Sequence, residues 1–189
     1  MAKTQQPRRS RLPDEPQIPN EEIRYAIGES VLGPVLVASS DKGVVSIQLG
    51  GDPEQLLRNV QRQLPRGHLV RTDDTALLEQ VTQYIDEPEG VMDVNLDIRG
   101  TDFQKKVFAA IREIPAGQTS SYSDIALMAG APRAGRAVGS VCATSNLAFA
   151  VPCHRVLHKD GTPRQGPHWG HTQLALLRRE GGAPGGKIR

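Results

Sequence analysis

The chain has 189 residues, a formal net charge of +2, two cysteines and an aromatic content of 4%. That length suits one generous domain or two small ones, and we expect two; the two cysteines exclude a disulfide framework and point to a reducing, cytoplasmic setting. No apolar run approaches the ~20 residues of a membrane span, and residues 1–20 are too polar for a secretory signal, so no membrane partner is expected.

The small net charge conceals a split. Residues 21–98 carry six Lys/Arg against fourteen Asp/Glu, whereas residues 99–189 carry thirteen against five. A solvated surface needs no such segregation, so the second half is the candidate binder of a polyanion. Mutual attraction of the two halves is a compatible explanation.

Residues 1–20 are rich in proline and charge and predict a flexible tail, in which Arg8, Arg9 and Arg11 add weak phosphate affinity. From Ile23 to Leu49 β-branched and other apolar residues alternate with polar ones. Turn signals at Gly33-Pro34 and Asp41-Lys42-Gly43 break the run, which predicts an antiparallel meander. Pro53 opens a helix with Leu56, Leu57, Val60 and Leu64 on one face, and Leu77, Leu78, Val81, Tyr84 and Ile85 mark a second. Val91–Ile98 alternates again and predicts a returning strand. With no cluster of nucleophile, base and acid, residues 21–98 read as a supporting α/β domain.

Gly100 marks the boundary. Thr101 and Gln104 form a capping box ahead of Phe103, Val107, Phe108 and Ile111, and that helix should stop before Pro115-Ala116-Gly117. A short helix over Tyr122–Ala129 ends at Gly130, and a second runs from about Arg133 to Ala143. Together they predict a helix-turn-helix. In the second helix Arg136 stands among Ala134, Gly135, Ala137, Gly139 and Ser140. Such small residues cost helix propensity but let a backbone approach the ~6 Å minor groove of DNA, with Arg136 projecting alone. The competing explanation is a tightly packed helix interface with Arg136 extended to water.

Val151-Pro152-Cys153-His154-Arg155-Val156 places a thiol beside an imidazole. An unperturbed thiol, with a pKa of ~8.5, needs such a base to attack carbon at neutral pH, and the base needs an orienting group. The alternative is that Cys153 is a small buried hydrophobe. A polar loop covers His158–Gly170. The last helix carries Leu174, Leu176 and Leu177 and then Glu180, which either orients His154 or is a solvated helix-end carboxylate beside Arg178 and Arg179. Gly181–Arg189 should fray. His168 and His171 have metal-ligand spacing, but no second cluster completes a site, so no metal is expected.

Five motifs in order carry a resemblance. They are Gly100-Thr101-x-Phe103-Gln104, Ile114-Pro115-x-Gly117-x-Thr119-x-Ser121-Tyr122, Arg136-Ala137-Val138-Gly139, Pro152-Cys153-His154-Arg155-Val156 and Leu176-Leu177-x-x-Glu180. Through them the chain resembles the methylated-DNA-protein-cysteine methyltransferases, or O6-alkylguanine-DNA alkyltransferases, without gaps over residues 99–182. That region is similar to the C-terminal domain of bacterial adaptive-response proteins, while these 189 residues hold no cysteine-rich, zinc-binding domain of the kind that accepts phosphotriester methyl groups. Residues 21–98 resemble the family's supporting domain more weakly.

The resemblance implies an N-terminal ribonuclease-H-like α/β domain over 21–98 and a C-terminal winged-helix-like domain over 99–182, with a flexible 183–189. It implies stoichiometric, irreversible transfer of an alkyl group from O6-alkylguanine, and O4-alkylthymine, in double-stranded DNA to Cys153, after base flipping through the minor groove and without a cofactor. His154 would take the thiol proton through a water, Glu180 would hold the imidazole and Tyr122 would donate to the departing guanine. Arg136 would fill the gap left by the base, while Gly135, Ala137, Gly139 and Ser121 meet DNA. Pro152, Val156, Ser145, Asn146, Gly166 and Pro167 would form the pocket. A monomer is expected, with cooperative assembly on DNA left open.

Two positions depart from the family pattern. Ser145 stands where many members have asparagine, with Asn146 one residue late. Gly166 stands where a tyrosine is usual, and Pro167 lacks a backbone N–H; shifting the loop by one residue would instead bring Trp169 into register. Two rival functions remain: a non-repairing alkyltransferase-like protein that only binds damage, and a cysteine hydrolase. The first type replaces the cysteine, and the second rarely places nucleophile and base side by side.

Overall fold

The alternation at the start of the chain folds as three antiparallel strands, β1 (Glu21–Ser30), β2 (Gly33–Ser40) and β3 (Gly43–Leu49), in a computed structural model. The structure describes residues 21–88, 92–147, 149–164 and 170–181, so the expected tails at 1–20 and 183–189 lie outside it. Helix α1 (Pro53–Gln63) starts where the Asp52 side chain accepts from Gln55 N at 2.8 Å. It carries the chain to β4 (Gly67–Arg71), which pairs with β1 in parallel, giving the order β3-β2-β1-β4. The period of two along β2 then sorts the layers. Leu36 and Ala38 pack with Leu56 and Val60 of α1, and Val35 and Val37 face helix α2 (Ala76–Asp86) on the other side.

Strand β4 was not expected, and Val91–Ile98 corrects a second expectation. Val91 lies outside the described residues, and residues 92–98 form no strand but a single parallel bridge from Leu96 to Val44. Val94, Leu96 and Ile98 still pack on the core, so their alternation reports burial on one side and not membership of a ladder. The backbone crosses closely over Gly43, whose φ is +138°. A Cβ there would lie 2.5 Å from the Asn95 carbonyl oxygen, so the crossing depends on glycine.

The second half begins with α3 (Asp102–Arg112), and the Thr101–Gln104 capping box forms in both directions. Strand β5 (Ser120–Ser121) leads into α4 (Tyr122–Met128), and α5 (Gly135–Ala143) follows a turn at Pro132 and Arg133. Helix α5 starts two residues later than expected because Ala134 N is held by Ala131 O at 2.9 Å and serves as the cap. Strand β6 (Val156–Leu157) pairs with β5, and α6 (Gly170–Arg179) closes the described chain.

One apolar cluster runs through both halves. Val35, Val37, Ile47 and Val81 share it with Val107, Ile111, Ile125, Val138, Val151 and Leu176. Ile47 N also donates to Asn146 O at 2.6 Å, so β3 braces the segment just before the cysteine turn. No described helix is long and apolar enough to cross a membrane.

Candidate active site

Residues Cys153–Arg155 form one 3₁₀ turn between Val151 and β6. Cys153 N donates to Val151 O at 2.7 Å and Arg155 N to Pro152 O at 2.9 Å, which hold the turn from within. Gln173 of α6 holds it from outside, its Nε2 donating to His154 O at 3.1 Å and Val156 O at 2.9 Å. Gln173 is wholly buried and escaped the sequence reading. A polar residue on the same helical face as Leu176 and Leu177 was the available signal.

His154 is 1% exposed, and its Nε2 lies 2.7 Å from Glu180 Oε1. Burial, and then the bonds to His154 and Arg155 that overcome it, leave the Glu180 carboxyl at about 2, well below the usual carboxylate range. An ionised carboxylate only accepts, so Nε2 carries the hydrogen and Nδ1 offers its lone pair. Among the described residues Nδ1 has no hydrogen-bond partner. Burial depresses the His154 pKa, against the pull of Glu180, and so favours the neutral, accepting ring.

Arg155 grips the same carboxylate, Nε to Oε2 at 3.0 Å and Nη2 to Oε1 at 2.7 Å. Gly117 N donates to Oε2 at 3.3 Å, from a turn in which Gly117 has φ 75°, a conformation suited to glycine. Glu180 is therefore not a solvated helix end: its side chain is 2% exposed. In the sequence Arg155 and Gly117 are only parts of motifs; the fold gives each a part in holding Glu180.

Cys153, the candidate nucleophile, is 3% exposed, and the neighbouring Cys142 and Ser145 act on its thiol. The bond from Cys142 is the largest influence, burial opposes it, and with the Ser145 bond the net effect lowers the Cys153 pKa. The same bond to Cys153, together with burial, pushes the Cys142 thiol up. Cys142 is thus a buried residue as expected, and one whose thiol acts on that of Cys153.

Tyr122, Gly135, Arg136, Gly139 and Arg164 line a cavity of about 620 Å³ between α4, α5 and the loop after β6. Arg136 and Ala137 are exposed, and Gly135 and Gly139 half-buried. A Cβ at Gly139 would meet the Tyr122 ring at 3.9 Å and one at Gly135 would meet Ser123 Oγ at 3.6 Å, both ordinary contacts. The protein's own packing therefore does not require either glycine, which removes the main support for a tight helix interface. Burial, then the neighbouring Cys142, push the Tyr122 hydroxyl up to about 12, so it stays protonated as a donor. His158 meets the Tyr122 ring edge-on, with centroids 5.3 Å apart.

The remaining residues scatter. Ser121, expected at DNA, has its hydroxyl committed to Asp124, accepting from N at 3.1 Å and donating to Oδ2 at 2.7 Å as the cap of α4. Pro152 and Val156 are buried and do not line the cavity. Asn146 offers its carbonyl to β3, whereas Ser145 reaches the sulfur. Gly166 and Pro167, with Trp169 and His168, lie outside the described residues, as does the side chain of His171. Among the described residues no group of three or more His, Cys, Asp or Glu is placed to hold a metal.

Comparison with known proteins bears on the family and the two-domain fold. Residues 102–182 match the family model described as 6-O-methylguanine DNA methyltransferase, DNA binding domain, and residues 23–88 match that family's ribonuclease-like domain. The chain is 40% identical over 164 residues to the bifunctional transcriptional activator/DNA repair enzyme Ada of Escherichia coli, covering 85% of this chain and 46% of that protein. It thus spans about half the length of the first relatives it matches. It is 38% identical over 129 residues to the inducible methylated-DNA–protein-cysteine methyltransferase of Bacillus subtilis, covering 67% of this chain and 72% of the relative. The structure is similar to that of Mycobacterium tuberculosis OGT in complex with DNA, with a TM-score of 0.68 and 32% identity over 84% of this chain and 93% of that one. On its fold, its two domain matches and the relatives it matches over more than two thirds of their length, the chain belongs to the methylated-DNA–protein-cysteine methyltransferase family.

Proposed function

We propose that this protein repairs DNA by moving the alkyl group of O6-alkylguanine, and of O4-alkylthymine, irreversibly onto Cys153. The observation that carries the proposal is the state of His154. Its Nε2 is held by Glu180 at 2.7 Å while the buried Nδ1 is left as an acceptor. The thiol proton passes through a water to Nδ1, the thiolate attacks the alkyl carbon, and the S–C bond forms as the C–O6 bond breaks. Hydrogen bonds from Cys142 and Ser145 support the thiolate. Tyr122, still protonated, donates to the guanine as it leaves.

The lesion is stacked inside a duplex, so the base must be extruded at a cost of a few kcal/mol before the sulfur can reach it. Helix α5 supplies what that needs: small residues at Gly135, Ala137 and Gly139 for close approach to the minor groove, and exposed Arg136 to occupy the vacated stack. Ser121 contributes by fixing the start of α4 and hence Tyr122. Duplex DNA is the partner, and no cofactor enters, since the alkyl group itself is the cargo. The product is a thioether, for whose cleavage this chemistry has no step, so each molecule acts once. Retention of Cys153 sets the protein apart from damage-binding relatives that lack the cysteine.

Intact-protein mass spectrometry after incubation with duplex DNA containing O6-methylguanine tests the proposal. The expected result is one methyl group per molecule, mapped to Cys153, with no further turnover on excess substrate. Multiple turnover, or a methyl group on Cys142, contradicts it.

A further inference from the structure

Alkyl transfer as described uses His154 and Glu180 but leaves one deeply buried charge without a task. Arg155 is 3% exposed, and a guanidinium in that position must satisfy several donors as well as its charge. It does so in three directions. Nη1 donates to Ile114 O at 2.6 Å, at the end of the α3 turn. Nε and Nη2 form a fork on Glu180, and Nη2 also lies 3.2 Å from the Tyr84 hydroxyl. Tyr84 belongs to α2, in the N-terminal sheet domain, which supplies none of the reacting groups. A continuous path therefore runs from Tyr84 through Arg155 and Glu180 to His154.

We infer that Arg155 is a positioning residue: anchored by the Tyr84 hydroxyl of the N-terminal domain, it locks the Glu180 carboxylate onto His154 Nε2 and so couples alkyl transfer at Cys153 to the seating of one domain on the other. This rests on the alkyl-transfer reading. Two features of the geometry argue for more than a structural ion pair. Oε1 is shared, taking His154 Nε2 at 2.7 Å and Arg155 Nη2 at 2.7 Å, so the carboxylate cannot rotate away from one without leaving the other. Oε2 takes Arg155 Nε and Gly117 N, which leaves the group no alternative orientation.

The charge matters as much as the geometry. The charges acting on His154 among the described residues are Glu180, from the end of α6, and Arg155 in its own turn, with the Tyr84 hydroxyl of α2 behind Arg155. The other groups packed against it, the Phe149 ring and the Gln173 amide, are neutral. Glu180 alone would draw a proton onto the imidazole and spoil it as an acceptor. Arg155 opposes that field and favours loss of the first proton from the Cys153–His154 pair.

The test measures single-turnover transfer from O6-methylguanine duplex across the acid limb of the pH profile, in the parent and in Arg155→Met, Arg155→Lys and Tyr84→Phe. Arg155→Met should be at least about tenfold slower, with the acid limb moved up by about one pH unit. Arg155→Lys, which keeps the charge but loses the fork, should be slow with the limb near its parental place. Tyr84→Phe, which removes one hydroxyl, should slow transfer several-fold and move the limb in the same direction by less. An acid limb unmoved in both Arg155→Met and Tyr84→Phe overturns the inference, whatever the loss of rate or thermal stability, because a purely structural Arg155 lowers rates equally at every pH. If Arg155→Met does not fold, the limb of Tyr84→Phe decides alone. A parent that takes up no methyl group defeats the alkyl-transfer reading, and this inference with it.

Discussion

Cys142, on α5, stands beside Cys153, in the turn before β6, and the interaction of the two thiols holds that of Cys153 down. The helix proposed to enter the minor groove thus also touches the nucleophile. Replacing Cys142 by alanine should remove a donor that favours the thiolate and slow methyl transfer by roughly tenfold, the worth of one hydrogen bond to a charged group. Cys142→Ser should recover most of the rate. Single-turnover kinetics on O6-methylguanine duplex checks both, and equal rates in parent and Cys142→Ala would show that the thiol does not act on Cys153.

Stability should fall on acidification in two stages. The His154 pKa is depressed in the folded state, chiefly by burial, so the unfolded chain binds the extra proton first and stability declines as pH drops below the ordinary histidine value of 6.5. The Glu180 carboxyl falls from 4.5 to about 2 on folding; its contribution, about 3 kcal/mol, is complete above the unfolded value and disappears as pH falls through that window. Glu180→Gln should flatten the lower stage in denaturant titrations. It should also destabilise the protein at neutral pH by about 3–5 kcal/mol, because Arg155 is left as a buried unpaired charge. In the fraction that remains folded, transfer should fall far more than DNA binding.

Arg136 is exposed, so its truncation should leave thermal stability unchanged. Arg136→Ala should repair duplex lesions on the order of tenfold more slowly while reacting normally with free O6-benzylguanine, which has no vacated stack to fill. Equal losses on both substrates would make Arg136 a structural residue.

Gly139 separates the needs of the protein from those of its partner. An alanine Cβ would sit 3.9 Å from the Tyr122 ring, in ordinary contact, and alanine favours the helix by up to about 1 kcal/mol. Gly139→Ala should therefore melt at the same temperature or higher, yet bind duplex DNA more weakly, because the added methyl group stands between α5 and the groove. Calorimetry and a binding titration at fixed salt measure the two effects. Unchanged affinity would mean that this face does not meet DNA.

Elements with a strong local signal were legible in advance. The capping box of α3, the apolar faces of α1 and α2 and the meander β1–β3 depend on neighbours in sequence, and each forms as its pattern predicts. Strand β4 was missed because Gly67–Arg71 is short and gains its ladder only from β1, more than forty residues earlier in the chain. Residues 92–98 failed in the opposite sense, since burial alone produced the alternation of Val94, Leu96 and Ile98.

The same division holds at the site. Cys153 and His154 are adjacent in the chain, so a nucleophile with its base could be read from the sequence, as could the small residues around Arg136. Which way each candidate resolves depended on groups brought from far away. Glu180 becomes the partner of His154, and not a solvated carboxylate, because Arg155, Gly117 and the burial of the α6 end surround it. Cys142 acts on Cys153 because the fold brings α5 to the cysteine turn, and the N-terminal domain reaches Glu180 through Tyr84 and Arg155. Local sequence sets what a side chain can do chemically; burial and long-range hydrogen bonds set its protonation state and its partner, and those exist only once the chain has folded.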